Sequence, residues 1–286
     1  MRTIGIMCVC IAALCLSGAA LALDSPIRVI YPRSYSDSDK RADYYVKLLE
    51  LALSKSGANY DLRVSEFQMS STRMRQQLES GDGMDVTWGP TSRSYEQTFQ
   101  PIRITLDKGI LGWRLFLIRH NEREAFARIQ TLDQLRAYAA GQQSEWSDVG
   151  VLEANGLKVV TAVSYEWLFR MLAADRFQYF PRGVGEIWGE AQSNIGLGLE
   201  VEPHLALHYP ANTYFFVRKN NTALARALER GLRAAIKDGS FDKLFDQYNG
   251  EAVKRAHLNT RTVFELKNPL LPEEKPLAAD EHPLRR

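Results

Sequence analysis

Beyond residue 22 the sequence has no cysteine; its three, Cys8, Cys10 and Cys15, all sit inside the first apolar stretch. A chain that sheds that stretch has no disulfide and no thiol nucleophile, which excludes cysteine catalysis and cysteine-ligated metal sites. No second apolar run is long enough to cross a bilayer. Charge of one sign is missing too. With Lys+Arg at 36 and Asp+Glu at 34, the formal net charge is +2, so neither nucleic acid nor an anionic membrane is expected as a partner. There is no Gly-x-Ser-x-Gly elbow, no phosphate-cradling glycine loop and no His-Glu-x-x-His pair. His204 and His208 are four apart, but Pro203 and Pro210 flank them and the stretch reads as extended, which separates the two rings along one face. No metal and no cofactor are expected.

The first residues carry a different message. Arg2 gives a short basic start, Ile4 to Leu16 form an apolar segment, and Ala20, Leu21 and Ala22 supply the small-x-small pattern read by a signal peptidase. Residues 1–22 are therefore expected to be a cleaved leader that exports the chain to the periplasm. Leu14 stands before Cys15 where a lipoprotein would have a small residue. The remainder is long enough for one large or two small domains with a well-buried core. Residues 271–286, rich in Pro, Glu and Arg, read as a tail.

Hydrophobic periodicity then alternates. Ile27 to Tyr31 is a β-branched run ended by Pro32, Tyr44, Leu48, Leu51 and Ala52 recur at helical spacing up to Gly57, and Leu62, Val64 and Phe67 suggest a second strand. Ser71 to Glu79 reads as a helix closing at Gly81, and Met84 to Trp88 as a third strand. Such a β-α-β-α-β series implies a mainly parallel sheet covered by helices. From Ile102 to Ile118 the chain is apolar without a helix, as if crossing to a second lobe. There the pattern predicts helices over 132–140 and 147–155, a polar turn at 142–146, a strand at 158–162, a helix at 165–174 and a strand at 177–180. A second extended crossing at 211–217 leads to an amphipathic helix from Thr222 to Asp238.

Three passages carry a family resemblance: RQQLESGDGMDV at 75–86 with the Pro-Thr-Ser turn after it, TLDQL at 131–135, and IKDGSFDKLF at 236–245. In this order, over about Ile27 to Tyr248, they resemble the bacterial extracellular solute-binding proteins of family 3, the two-lobed receptors that deliver amino acids to ABC transporters. The resemblance implies an α/β, two-lobed type II periplasmic-binding fold with two hinge crossings. The expected division is residues 23–118 in the first lobe, 119–209 in the second, and 210–270 returning to the first. It implies a monomer that takes up a small-molecule solute by hinge closure and presents it to a membrane permease or receptor. It also reaches periplasmic dehydratases of cyclic amino acids, so an enzyme on the same scaffold is a competing reading, although no catalytic residue is expected.

In open parallel sheets ligands gather beyond the carboxyl ends of the strands. This places the site at the loops 32–37, 88–93, 142–148 and 181–186. The candidates are Tyr35 and Trp88 as flat walls, Thr91 and Ser92 as hydroxyl donors, Trp146 and Asp148 at a helix start, and Arg114, Arg182 and Glu186 as charged contacts. Each has a structural alternative: a Trp packs between sheet and helix, and Asp148 caps a helix. Where the family's amino-acid receptors hold an α-carboxylate with an arginine, this chain has Tyr95, Glu96 and Gln97, with Arg93 early; where they hold an α-ammonium with an acid, it has Arg182. Arg182 facing the ligand would favour an anionic or acceptor-rich end. Paired with Glu186, it would instead be a structural salt bridge.

Overall fold

The computed structural model describes residues 26–34 and 42–271; the leader, Tyr35 and the tail beyond Leu271 lie outside them. The chain begins with the anticipated order of elements, but not with the anticipated mainly parallel sheet of three strands, because the third strand pairs antiparallel with a later strand and not with the first two. Strand β1 (Ile27–Tyr31), helix α1 (Asp43–Lys55), strand β2 (Tyr60–Val64), helix α2 (Ser71–Ser80) and strand β3 (Val86–Pro90) follow in order, then a short helix α3 (Arg93–Thr98) and strand β4 (Phe99–Ile102). β1 and β2 pair in parallel. Asp85 stitches β1 to the start of β3: its N–H donates to the Ile30 carbonyl at 2.9 Å, and its carboxylate accepts from Ile30 N–H at 2.8 Å. Helix α2 begins where the Ser70 hydroxyl accepts from Arg73 N–H and ends at Gly81, whose φ of 74° needs no Cβ.

The second lobe is built from β5 (Trp113–Arg119), short helices α4 (Arg123–Ala127) and α5 (Leu132–Leu135), β6 (Ala139–Gln143), α6 (Asp148–Ala154), β7 (Lys158–Ala162), α7 (Tyr165–Ala173), β8 (Tyr179–Gly183), α8 (Ile187–Ser193), β9 (Leu199–Val201) and β10 (Leu205–His208). The chain returns through β11 (Thr213–Arg218) to α9 (Thr222–Lys237) and α10 (Ser240–Ala256), and then adds β12 (Thr262–Glu265). β11 runs antiparallel between β3 and β4. The other sheet has the order β12-β10-β5-β8-β6-β7, with β9 also on β5.

Strands 27–31 and 158–162 thus lie in different sheets, as a two-lobed chain requires. The pairing departs from the expected boundaries at two places. β5, expected as hinge within residues 23–118, is a central strand of the second-lobe sheet, so the first crossing is residues 103–112. β12, expected with the first lobe, pairs with β10, so the chain crosses a third time. A further departure is β6, where a helix to 140 and a polar turn were expected. Its sequence, AAGQQ, lacks β-branched residues, and burial comes from its neighbours: a Cβ on Gly141 would sit 2.1 Å from the Phe177 ring. Sheet membership overrides local propensity there.

The hinge side is apolar and continuous. One core cluster runs from Val29, Leu48 and Leu228 through Ile104, Leu106 and Ile110 to Leu115, Phe180 and Ile187. α9 presents Leu224, Ala227, Leu228, Gly231, Leu232 and Ala235 as its buried stripe, and Gly231 lets it close onto α1, where any Cβ would meet the Ala52 carbonyl. α10 reaches the second lobe through Ala252, whose carbonyl accepts from Trp188 Nε1 at 3.2 Å.

Candidate functional site

The carboxyl ends of the strands of both lobes face one cavity of about 640 Å³. Of the nine residues anticipated, Trp88, Ser92, Arg114, Trp146, Asp148, Arg182 and Glu186 line it. Thr91 does not. It is buried, and its hydroxyl donates to Glu96 Oε1 at 2.6 Å, which is itself held by Arg103. Tyr35 lies outside the described residues.

The first-lobe wall is aromatic. Trp88, at the middle of β3, stacks on Tyr45 with centroids 5.9 Å apart and planes at 19°, and Tyr31 and Phe215 close around it. Tyr95 packs on Phe99 and Phe216, and the Arg75 guanidinium lies 4.9 Å over the Tyr95 ring. Ser92 caps α3 by accepting from Tyr95 N–H. Behind this layer the Tyr45 hydroxyl donates to Asp107 in the first crossing at 3.2 Å, and Thr213 in the second crossing donates to the same carboxylate at 2.7 Å. Burial raises Asp107 to about 6, against the hydrogen bonds from Thr213, Gly109 and Tyr45 that pull it down.

The second-lobe wall is ionic and internally paired. Arg182, on β8, donates from Nε to Glu190 Oε2 at 2.7 Å and from a terminal nitrogen to Glu190 Oε1 at 2.6 Å, with a further bond to Glu186. Tyr165 donates to the same Glu190 at 2.6 Å. The guanidinium plane covers Trp146 at 4.6 Å and Phe180 at 4.9 Å. Burial works against its charge, but Glu186 and Glu190 outweigh that and hold it well above the ordinary arginine value. Arg114, on β5, shares its Nε between Asp148 and the Tyr209 hydroxyl, both at 2.8 Å; Tyr209 also donates to Asp148. Burial again opposes the charge and Asp148 more than offsets it. Glu186 stands between the two guanidinium groups, so the wall reads Asp148, Arg114, Glu186, Arg182, Glu190 in alternating sign.

Arg182 therefore spends its donors on carboxylates of its own lobe, the structural alternative raised from the sequence. Sequence reasoning passed over Glu190, Tyr165 and Tyr209 behind the wall, and Arg75, Glu145, Pro269 and Leu270 lining the cavity. Glu190 is one helical turn past Glu186, a spacing that α8 makes a single face. Pro269 and Leu270 carry no such signal, because only the third crossing brings them here. One further contact spans the cleft: Thr72 donates to Glu145 at 3.3 Å. His208 pairs with Glu265 and stacks on Trp113. Among the described residues there is no cluster of three metal-ligating side chains.

Two α/β lobes, joined by adjacent crossings around one cleft, define the fold of periplasmic binding proteins of the Venus flytrap type. Solved structures with this fold include an ancestral arginine-binding protein bound to arginine, at 16% identity and a TM-score of 0.56, covering 79% of this chain and 99% of that one. The periplasmic VFT2 domain of Bordetella pertussis BvgS matches at 14% identity and a TM-score of 0.60, over 78% and 92% of the two chains. The arginine-, lysine-, histidine-binding protein ArtJ of Geobacillus stearothermophilus matches at 11% identity and 0.56, over 79% and 96%. No family model matches the chain, and no curated protein matches it in sequence.

Proposed function

We propose that this protein is an exported receptor that clamps a small polar solute, an amino acid or a related compound, between its lobes. The observation that carries the reading is the interlobe cavity of about 640 Å³, within the several-hundred-Å³ range of small-molecule sites. It is lined from both lobes at the strand ends, so closure would desolvate a ligand on two sides. Amino-acid-binding proteins among the structural neighbours support the solute class. Delivery to an ABC-type permease is the first use of such a clamp. The likeness to BvgS VFT2 favours a second, in which the ligand-bound form drives a membrane receptor. A binding role is preferred over an enzymatic one because, of the cavity carboxylates, Asp148 and Glu186 are each bonded to a guanidinium and Glu145 accepts from Thr72 across the cleft, so no pair of carboxylates stands together as an acid and a base.

A thermal-shift screen tests the reading. Arginine, lysine, histidine, glutamine, small carboxylates and small amines are each added at millimolar concentration. A true ligand at about 100 times its Kd adds about 2.7 kcal/mol of stability and raises Tm accordingly. A flat response across all three chemical classes defeats the proposal.

A further inference from the structure

The third crossing does more than add an edge strand. After β12 the chain stays on the second lobe: Leu266 N–H donates to the His208 carbonyl at 2.8 Å, Lys267 N–H donates to Asn155 Oδ1 at 3.0 Å, and the Asn155 amide returns a bond to the Lys267 carbonyl at 2.7 Å. Asn268 donates to the Pro210 carbonyl in the second crossing at 2.8 Å. Leu270, half-buried, then packs its side chain against the second-lobe cluster that includes Phe116, Val151 and Leu152. At that point the backbone reaches the other lobe. The Leu270 carbonyl accepts from Arg93 N–H at 2.8 Å, and the Pro269 carbonyl accepts from the Arg93 guanidinium at 2.9 Å. Both Pro269 and Leu270 line the cavity.

We propose that residues 266–271 form an interlobe latch that holds the cleft closed and walls one side of it. The chemistry is that of an unfinished helix end. Arg93 is the first residue of α3, and its N–H has no partner within that helix. The Leu270 carbonyl supplies one, from a residue whose side chain is half-buried against the core of the opposite lobe. Opening the lobes must break this bond and the guanidinium bond together, or pull Leu270 out of its apolar seat. Among the described residues, the cleft side is thus tied by Thr72 to Glu145 and by the 266–271 segment. The latch goes beyond the solute reading and stands without it, since it rests on contacts within the chain itself.

The test uses no ligand. In a background with Cys8, Cys10 and Cys15 replaced by Ser, spin labels are placed through Thr72→Cys and Glu145→Cys, on facing lips of the cleft. Label-to-label distances are compared between the full chain and a chain ending at Leu266, which keeps β12. The full chain should give one short, narrow distribution and the shortened chain a longer, broader one. Amide exchange at Arg93 should accelerate at least about tenfold on shortening, because its acceptor is gone. Should the shortened chain fail to fold by circular dichroism, Leu270→Asp at full length carries the same expectation. Unchanged distances and unchanged Arg93 exchange in the folded variant overturn the latch.

Discussion

The two walls of the cleft hold their side chains in place by different physics. The first-lobe wall is a stack of rings, with Trp88 backed by Tyr45, Tyr31 and Phe215, and its one cation facing the cavity at α2, Arg75, rests on Tyr95. The second-lobe wall is ionic and paired within itself, Arg114 bonding Asp148 and Arg182 bonding Glu186 and Glu190. A paired, buried ionic row is rigid and its desolvation has already been met during folding. Under the proposed binding role the walls take separate tasks: the second lobe supplies a fixed surface, and the first supplies the contacts that a solute would complete.

The largest effect should come from Arg182→Ala. It strips the cation from Glu190, which is 8% exposed, and from Glu186 beside it. Breaking a buried pair by removing one partner costs about 3 to 5 kcal/mol, so the urea midpoint should fall steeply. The comparison breaks if stability is unchanged and only solute affinity drops, because Arg182 would then serve the ligand and not the wall.

That choice was open in the sequence for a physical reason. Arg182 and Glu186 are readable as a charged pair four apart, but whether their charge turns inward or toward a ligand depends on Glu190 and Tyr165, which α8 and α7 bring from separate segments. What was legible was periodic: β1, α1, α2, β7, α7 and α9 announce themselves by spacing, and Trp88 and Trp146 as large aromatics in or just after predicted strands. What was hidden depends on tertiary context. β6 has no strand-like residues and exists because β7 and β8 flank it. β12 and the Pro269–Leu270 contact depend on a crossing that no local pattern encodes.

A smaller effect concerns the support of the first-lobe wall. Asp107 anchors both Tyr45 behind Trp88 and Thr213 in the second crossing, with Gly109 N–H as a third donor at 3.1 Å. Its carboxyl is raised from 3.8 to about 6 by burial. The native state therefore holds a proton that the unfolded chain has lost between those values, and this group's contribution to stability declines as pH rises through that window, then levels off. Asp107→Asn removes the titration. Relative to the parent, the variant should gain on the order of 2 kcal/mol of unfolding free energy between about pH 4 and about pH 7. Paired urea titrations measure it; a pH-independent difference would detach the first-lobe wall from any ionisable support.

The smallest effect on stability, and the sharpest test of the division of labour, is Arg75→Ala. Arg75 lines the cavity, and among the described residues it forms no salt bridge; its contact is the face of Tyr95 at 4.9 Å. A partly exposed cation over a ring contributes about 0.5 to 1 kcal/mol, so the unfolding midpoint should shift little. Affinity for a solute with an anionic group should weaken about tenfold, which is about 1.4 kcal/mol, because Arg75 is a cation at the cavity whose charge no carboxylate of its own lobe has taken up. The two readouts must diverge for the comparison to hold: stability nearly constant, binding reduced. If Arg75→Ala instead destabilises the fold as much as Arg182→Ala, both walls are structural and selectivity lies elsewhere in the cleft. If binding and stability both stay constant, the first-lobe contribution rests on Trp88 and Tyr95 alone, and Trp88→Ala becomes the variant that must lose the ligand.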